Sequence, residues 1–148
     1  MRLPVLVILG CGLAGGAAAQ QPADKQVIQM PGGLQGLPFS PAVRVGNVLY
    51  LSGQLGSVPG TRQLADTGIA GQTRQVLENI KAVLAQGGSS LERVFKCTVF
   101  LSNIADFAKM NEVYVTYFPK DPPARSTVAG SGWALGARVE IECLATVG

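Results

Sequence analysis

Near its carboxyl end the chain reads Pro122-Pro123-Ala124-Arg125-Ser126-Thr127-Val128 and then, after a glycine-rich run, Val139-Glu140-Ile141-Glu142-Cys143. Proline fixes its own φ at about −65° and disfavours helix in the residue before it. Residues 124–128 are therefore predicted to form a strand, which the loop of residues 130–136 joins to another strand over residues 137–147. This strand, loop and strand form the framework for the rest of the chain.

These two strands carry an arginine and a glutamate that suggest a site. The Arg125 guanidinium is always charged and can bind a carboxylate through two parallel hydrogen bonds. Glu140 could position or deprotonate a water molecule. Together they suggest a site where water attacks a small carboxylic acid. The alternative is that Arg125 is a solvated surface charge, and that Glu140 and Glu142 share a strand face that looks at solvent.

The composition excludes several kinds of chemistry. The 148 residues are 47% hydrophobic and 14% charged, which indicates one globular domain with a substantial core. The formal net charge is +3 and the basic residues are scattered, so nucleic-acid binding is not predicted. There is no histidine, which excludes Ser-His-Asp and Cys-His nucleophiles and the usual histidine-rich metal sites.

The three cysteines are Cys11, Cys97 and Cys143. None belongs to a CxxC pair, so no zinc site is predicted. Cys97 and Cys143 fall inside strand patterns, where a cysteine is usually a small buried hydrophobe. In an oxidising compartment the two could instead form a disulfide, but the sequence does not place their Cα atoms.

The amino-terminal segment resembles a leader. It has one basic residue, Arg2, then an apolar run and the small residues Ala17-Ala18-Ala19. This pattern predicts a signal peptide over residues 1–19 and a single exported domain over residues 20–148, periplasmic or secreted. The apolar run is too short for a comfortable membrane span. A competing interpretation is lipidation at Cys11, which would add a lipid anchor.

Apolar patterning predicts the order of the remaining elements. A helix is expected over residues 69–86, ending at Gly87-Gly88, and a second over residues 104–118, capped by Ser102 or Asn103. Strands are expected over residues 25–30, 42–45, 48–52 and 94–101. In the last of these, Phe95 is expected on the same face as Cys97, with Val94 on the other. This order predicts an α+β fold, a sheet with both helices on one face.

Several motifs together resemble one family. The chain is similar to the Rid family, the RidA-type enamine and imine deaminases, over about residues 25–147. The similarity rests on a set of short segments. These are Ser52-Gly53-Gln54, Gly71-Gln72-Thr73-Arg74-Gln75-Val76-Leu77-Glu78-Asn79-Ile80, Thr98-Val99-Phe100-Leu101, Asn111-Glu112-Val113-Tyr114, Pro123-Ala124-Arg125-Ser126-Thr127-Val128 and Val139-Glu140-Ile141-Glu142.

The resemblance implies a chorismate-mutase-like (Rid-type) fold with a mixed sheet, assembled as a homotrimer with its sites in clefts between subunits. It implies hydrolysis of reactive 2-imino acids, tautomers of enamines, to 2-keto acids and ammonia, and no cofactor or metal is expected. By motif match, Arg125 binds the substrate carboxylate and Glu140 holds the hydrolytic water. Ser52, Gly53, Asn111 and Thr127 are implied to line the pocket.

Two departures from the family pattern bear on function. Phe39 stands where the family usually has a tyrosine that closes over the site, so the ring is kept and the hydroxyl is lost. Thr127 stands where some members have a cysteine. Phe39 is still a candidate substrate-binding residue. Its presence motivates the alternative that the protein is a trimeric, non-catalytic binding protein for small carboxylates or other metabolites.

Overall fold

The structure, a computed structural model, describes residues 24–148. The signal peptide predicted over residues 1–19 and the lipidation site at Cys11 lie outside the described residues, so both stay predictions. No helix within residues 24–148 is long and apolar enough to cross a membrane.

Seven strands form one mixed sheet. Their bounds are β1 (Lys25–Ile28), β2 (Ala42–Val45), β3 (Val48–Leu51), β4 (Gln54–Leu55), β5 (Val94–Leu101), β6 (Ala124–Ala129) and β7 (Val139–Thr146). The order across the sheet is β1-β2-β3-β7-β5-β6, with β4 paired to the first half of β7. Of the strand pairs in the described part of the chain, β5 with β6 is the parallel one. β7 therefore lies at the centre of the sheet and β6 at an edge.

Two helices cover one face of this sheet, as predicted. The first, α1 (Ile69–Gln86), has the predicted bounds and ends where Gly88 takes a φ of 76°. The second, α2 (Phe107–Tyr117), begins later than predicted, because residues 104–106 form a 3₁₀ turn instead of helix. The Asn103 side chain accepts a hydrogen bond from the Ala105 N–H, so Asn103 is the cap.

The core lies between the helices and the sheet. Buried residues alternate along β7, where Val139, Ile141, Cys143 and Ala145 face the helices. Cys97 of β5 lies directly opposite Cys143 in the ladder, and the two form a buried disulfide. The pairing that the sequence left open is thus formed inside the core.

One strand face was predicted wrongly. A β-bulge lies between Val94 and Lys96, so β5 has one residue more than β7 over this span. The bulge turns Val94 into the core and leaves Phe95 45% exposed, the reverse of the prediction. Beyond the bulge, Cys97, Val99 and Leu101 face the core as expected.

A half-buried ion pair fixes the start of β7. Both Arg138 Nε and Nη2 donate to the Asp106 carboxylate, at 3.0 and 2.7 Å, and Asp106 is 8% exposed. The Arg138 N–H donates to Gln72 Oε1 at 2.8 Å, so α1 holds the same residue. Glu140 is two residues further along the chain. This network therefore also fixes the position of the Glu140 backbone.

The other face of the sheet has no helix over it within residues 24–148. Its apolar side chains are partly exposed, and we refer to them as the open face: Val27, Val43, Tyr50, Phe100, Val128 and Leu144. Tyr50 and Val128 are each 47% exposed. Exposed apolar groups on one sheet face are typical of an interaction surface.

Candidate functional site

Arg125 lies on the edge strand β6 and points to the helix side of the sheet. It pairs with Cys97 in the ladder and so shares the face that Cys97 presents to the core. Its guanidinium carbon lies 4.6 Å from the centre of the Tyr114 ring and 5.6 Å from that of Phe107, both on α2. No carboxylate among residues 24–148 forms an ion pair with it. Arg125 is therefore a cation held by aromatic rings and free to bind an anion.

Three polar atoms near Arg125 are buried and have no hydrogen-bond partner. They are Asn111 Oδ1, the Tyr114 hydroxyl and Thr127 Oγ1. A cavity of about 400 Å³ is lined by Arg125, Asn111 and Tyr114. Buried polar groups in native proteins are nearly always satisfied, so unpartnered ones are expected where a ligand binds. We call Arg125, Asn111, Tyr114 and Thr127 the arginine group.

Tyr114 is the member of this group that the sequence analysis missed. Its place in the apolar stripe of α2 predicts a core residue, and its ring is indeed only 4% exposed. Burial raises the pKa of Tyr114 to about 12, although the Arg125 charge acts in the opposite direction. The phenol therefore stays protonated and can donate a hydrogen bond. The signal in the sequence was the choice of tyrosine over phenylalanine at a buried position.

Glu140 lies on the open face of β7, where it pairs with Phe100 of β5 and Leu55 of β4. Burial raises the pKa of the Glu140 carboxyl above its ordinary value, and the charge of Glu142 on the same face raises it further. A carboxylate with a raised pKa is a stronger base than an ordinary one, which suits a group that accepts a proton from water.

Gly53 allows the Glu140 carboxylate to lie against the backbone. A Cβ atom on Gly53 would overlap Glu140 Oε1 and lie 2.8 Å from Glu140 Cδ. Ser52, the preceding residue, donates from Oγ to the Ser40 carbonyl at 2.6 Å and from N to the Pro41 carbonyl at 3.0 Å. These bonds tie the Phe39 loop to the end of β3. Phe39 itself is 55% exposed.

The structure therefore divides the predicted site residues into two groups. The arginine group lies on the helix side at β6. The second, which we call the glutamate group, is Glu140, Ser52, Gly53 and Phe39, on or beside the open face. Two further residues, Asn111 and Thr127, were predicted as pocket-lining and belong with Arg125.

Arg125 and Glu140 do not meet within one chain. Phe100 pairs with both Glu140 and Val128, so β7 and β6 lie about 10 Å apart at this level. Arg125 is three residues along β6 from Val128, roughly 10 Å more, which puts the two Cα atoms about 14 Å apart. Their side chains also point to opposite faces.

Comparisons with known proteins agree with the motifs. The family model described as endoribonuclease L-PSP matches residues 35–147. The chain is 41% identical over 110 residues to Reactive Intermediate Deaminase A, chloroplastic, of Arabidopsis thaliana, which is 74% of this chain and 59% of that protein. It therefore spans less than two thirds of the Arabidopsis protein.

Two further relatives cover more of their own length. The 2-iminobutanoate/2-iminopropanoate deaminase of Bos taurus is 41% identical over 111 residues, 75% of this chain and 81% of the bovine protein. The crystal structure of YyfA, from Yersinia pestis and of the conserved Rid protein family, has a TM-score of 0.77 at 42% identity. That match covers 84% of this chain and 100% of YyfA. The α+β architecture is thus the Rid-type fold that the sequence predicted.

Proposed function

This chain belongs to the endoribonuclease L-PSP (Rid) family, and from that membership we propose that it hydrolyses 2-imino acids, with their enamine tautomers, to 2-keto acids and ammonia. The names of the Arabidopsis and bovine relatives support this activity. In this structure the main support for imine hydrolysis is the arginine group. There the Arg125 guanidinium, without an ion-pair partner in residues 24–148, lies among three buried polar atoms that have no hydrogen-bond partner.

The arginine group would bind the substrate carboxylate. Arg125 offers two parallel N–H donors, and the Tyr114 hydroxyl and Thr127 Oγ1 can each donate to a carboxylate oxygen. Asn111 has an acceptor, Oδ1, without a partner, which suits the imine N–H. Because the Arg125 guanidinium already lies over the Tyr114 and Phe107 rings, little side-chain freedom remains to be lost on binding.

The glutamate group would supply the water. The imine carbon is electrophilic, so it needs no covalent nucleophile. Glu140 accepts a proton from water as the oxygen adds to the C=N carbon, and passes that proton to the imine nitrogen to give a carbinolamine. Glu140 then accepts the proton of the carbinolamine hydroxyl and delivers it to the nitrogen, so the C–N bond breaks, ammonia leaves and the carbon becomes the ketone of the 2-keto acid. Holding water and carbon in attack geometry supplies much of the acceleration.

A homotrimer with sites between subunits would bring the two groups together. The opposite orientations of Arg125 and Glu140 support this assembly, as does the uncovered apolar surface of the open face. The interface would join the β6 and α2 side of one copy to the open face of the next. An interface between two different surfaces can close into a ring, and a trimer is one such ring.

We also propose that the protein is exported. We place the mature domain in the periplasm or outside the cell, on the basis of the leader pattern in residues 1–19. The buried disulfide between Cys97 and Cys143 fits an oxidising compartment.

The activity is tested with residues 20–148 and an amino-acid oxidase that generates 2-iminobutanoate or 2-iminopropanoate, with semicarbazide trapping the surviving imine. The wild type is expected to lower the amount of trapped imine, and Arg125→Ala to leave it at the buffer level. Arg125→Lys should recover little, because an ammonium cannot make the two-pronged contact. Lys120→Ala, an exposed charge, is the matched control.

Phe39 favours a second candidate, a binding protein for small carboxylates. The ring is at the glutamate group without the hydroxyl of the family tyrosine. Binding of 2-oxobutanoate that requires Arg125, without any loss of imine, would support this function over hydrolysis. Phe39→Tyr would then be the next variant to assay. RNA cleavage, which the family description names, receives no support from the net charge of +3 and the scattered basic residues.

A further inference from the structure

A larger cavity lies beside the glutamate group. It measures about 590 Å³, is partly open to solvent, and is bounded by residues from 29–41, the turn at residues 57–62 and one side of α1. Its apolar wall includes Met30, Leu34, Leu37, Leu55, Val83 and Leu135.

Three of the polar side chains in this wall are already hydrogen-bonded within the protein. Asn79 Nδ2 donates to the carbonyls of Leu55 and Ser57, both at 2.9 Å. Gln54 Nε2 donates to the Ser52 carbonyl at 3.1 Å, and Thr61 Oγ1 donates to the Val58 carbonyl at 3.0 Å. Most of the wall is apolar, although Arg62 and Gln29 also line it, so a mainly apolar group fits the cavity best.

The cavity adjoins the proposed reaction site. Gly53 and Phe39, both of the glutamate group, are part of its wall. The Glu140 carboxylate lies directly against Gly53. A substrate whose imine carbon faces Glu140 can therefore extend past Gly53 into the cavity.

The volume far exceeds the needs of a methyl or ethyl group. An apolar cavity of about 150 Å³ is enough to hold a benzene molecule. The space beside Gly53 is 590 Å³, several times larger. The side chain of the substrate is the part that varies between 2-imino acids, and it is the part that would enter.

We infer that the preferred substrate is a 2-imino acid with a large apolar side chain, aromatic or branched aliphatic, which this cavity receives. The inference rests on the proposed imine hydrolysis and adds the class of substrate.

Ala82 provides the test, because it is exposed on α1 and forms part of the cavity wall. Ala82→Phe would fill part of the cavity from the helix surface without entering the core.

The experiment compares imines generated from leucine, phenylalanine and alanine by an amino-acid oxidase. For the wild type, kcat/KM for the leucine or phenylalanine imine is expected to exceed that for the alanine imine by about tenfold or more, since one methylene in an apolar pocket is worth roughly that much. Ala82→Phe should lower this ratio about tenfold. Ala85→Phe, exposed on the same helix but outside the cavity wall, should leave the ratio unchanged.

Binding of the keto-acid products gives a readout that does not need turnover. Calorimetry should show tighter binding of 4-methyl-2-oxopentanoate or phenylpyruvate than of pyruvate to the wild type, with the preference reduced in Ala82→Phe. Rapid hydrolysis of all imines with no preference for large side chains would overturn the inference and leave the proposed function standing. Hydrolysis of no imine would overturn the proposed function, and the inference with it.

Discussion

Gly53→Ala is expected to disable the Glu140 site without unfolding the protein. Gly53 is not among the glycines with positive φ, so its backbone conformation accepts an alanine. The added Cβ, however, would lie 2.8 Å from Glu140 Cδ and 3.0 Å from Cγ. Ordinary contacts between carbon atoms are about 3.5–4.0 Å, so the carboxylate has to move by about 1 Å. A displacement of about 1 Å at a reacting group can cost about 100-fold in rate, or roughly 2.7 kcal/mol.

The assay is kcat/KM for the imine that the wild type hydrolyses best, together with the thermal midpoint and the affinity for the matching keto acid. We expect kcat/KM to fall about 100-fold while the midpoint changes little, because glycine to alanine at a compatible position is worth only about 0.4–1 kcal/mol. Gly68→Ala is the matched control, since its Cβ would meet Asp66 Oδ1 at an ordinary 3.4 Å. Wild-type activity in a folded Gly53→Ala protein would refute the role of the Glu140 position.

Three further predictions follow from the same geometry. Tyr114→Phe removes a hydroxyl without a hydrogen-bond partner, so the stability should hardly change. KM should rise about tenfold, because a hydrogen bond to a charged group is worth about that much. An unchanged KM would show that Tyr114 does not belong to the site. Glu140→Gln should abolish hydrolysis yet raise the thermal midpoint at neutral pH, because burial and Glu142 raise the pKa of Glu140 and so disfavour its charged form in the folded protein. That gain should shrink as the pH falls through the raised pKa, where wild-type Glu140 becomes neutral; a gain that persisted at low pH would contradict this cause. The Cys97–Cys143 disulfide closes a loop with a sequence separation of 46. Reducing it should lower the free energy of unfolding by about 4 kcal/mol, measured by urea titration at equal protein concentration. Equal free energies of unfolding with and without reductant would count against the disulfide.

The elements with strong local signals could be predicted from the sequence. The bounds of α1 and β5 were right because apolar periodicity and Gly87-Gly88 define them locally. The strands β2 and β3 were predicted within one residue of their bounds, because Gly46-Asn47 is a typical tight-turn dipeptide between two apolar runs. These features depend on residues close together in the chain.

The features that were missed depend on long-range pairing. The bulge that exposes Phe95 arises from the register between β5 and β7, and the short strand β4 exists only because it pairs with β7. The separation of Arg125 from Glu140 has the same origin. Spacing along the chain cannot show that β5 lies between their strands, or that their side chains face opposite sides of the sheet.

Residue roles were predicted less completely than residue positions. The motif match brought out Asn111 and Thr127 beside Arg125, and both have buried polar atoms without partners. Tyr114 was missed because periodicity describes a buried tyrosine and a buried phenylalanine alike. Its role became visible once the position of its ring under the Arg125 guanidinium was known.

The most direct test of the central claim is complementation between two inactive variants. Arg125→Ala and Glu140→Gln would be co-expressed with different affinity tags and purified through both, which selects mixed trimers. If each site takes Arg125 from one subunit and Glu140 from the next, every mixed trimer has one complete site, and activity should return to about one third of the wild type per trimer. If both residues served the same site within one subunit, the mixed trimers would stay as inactive as either variant alone, which would contradict the account.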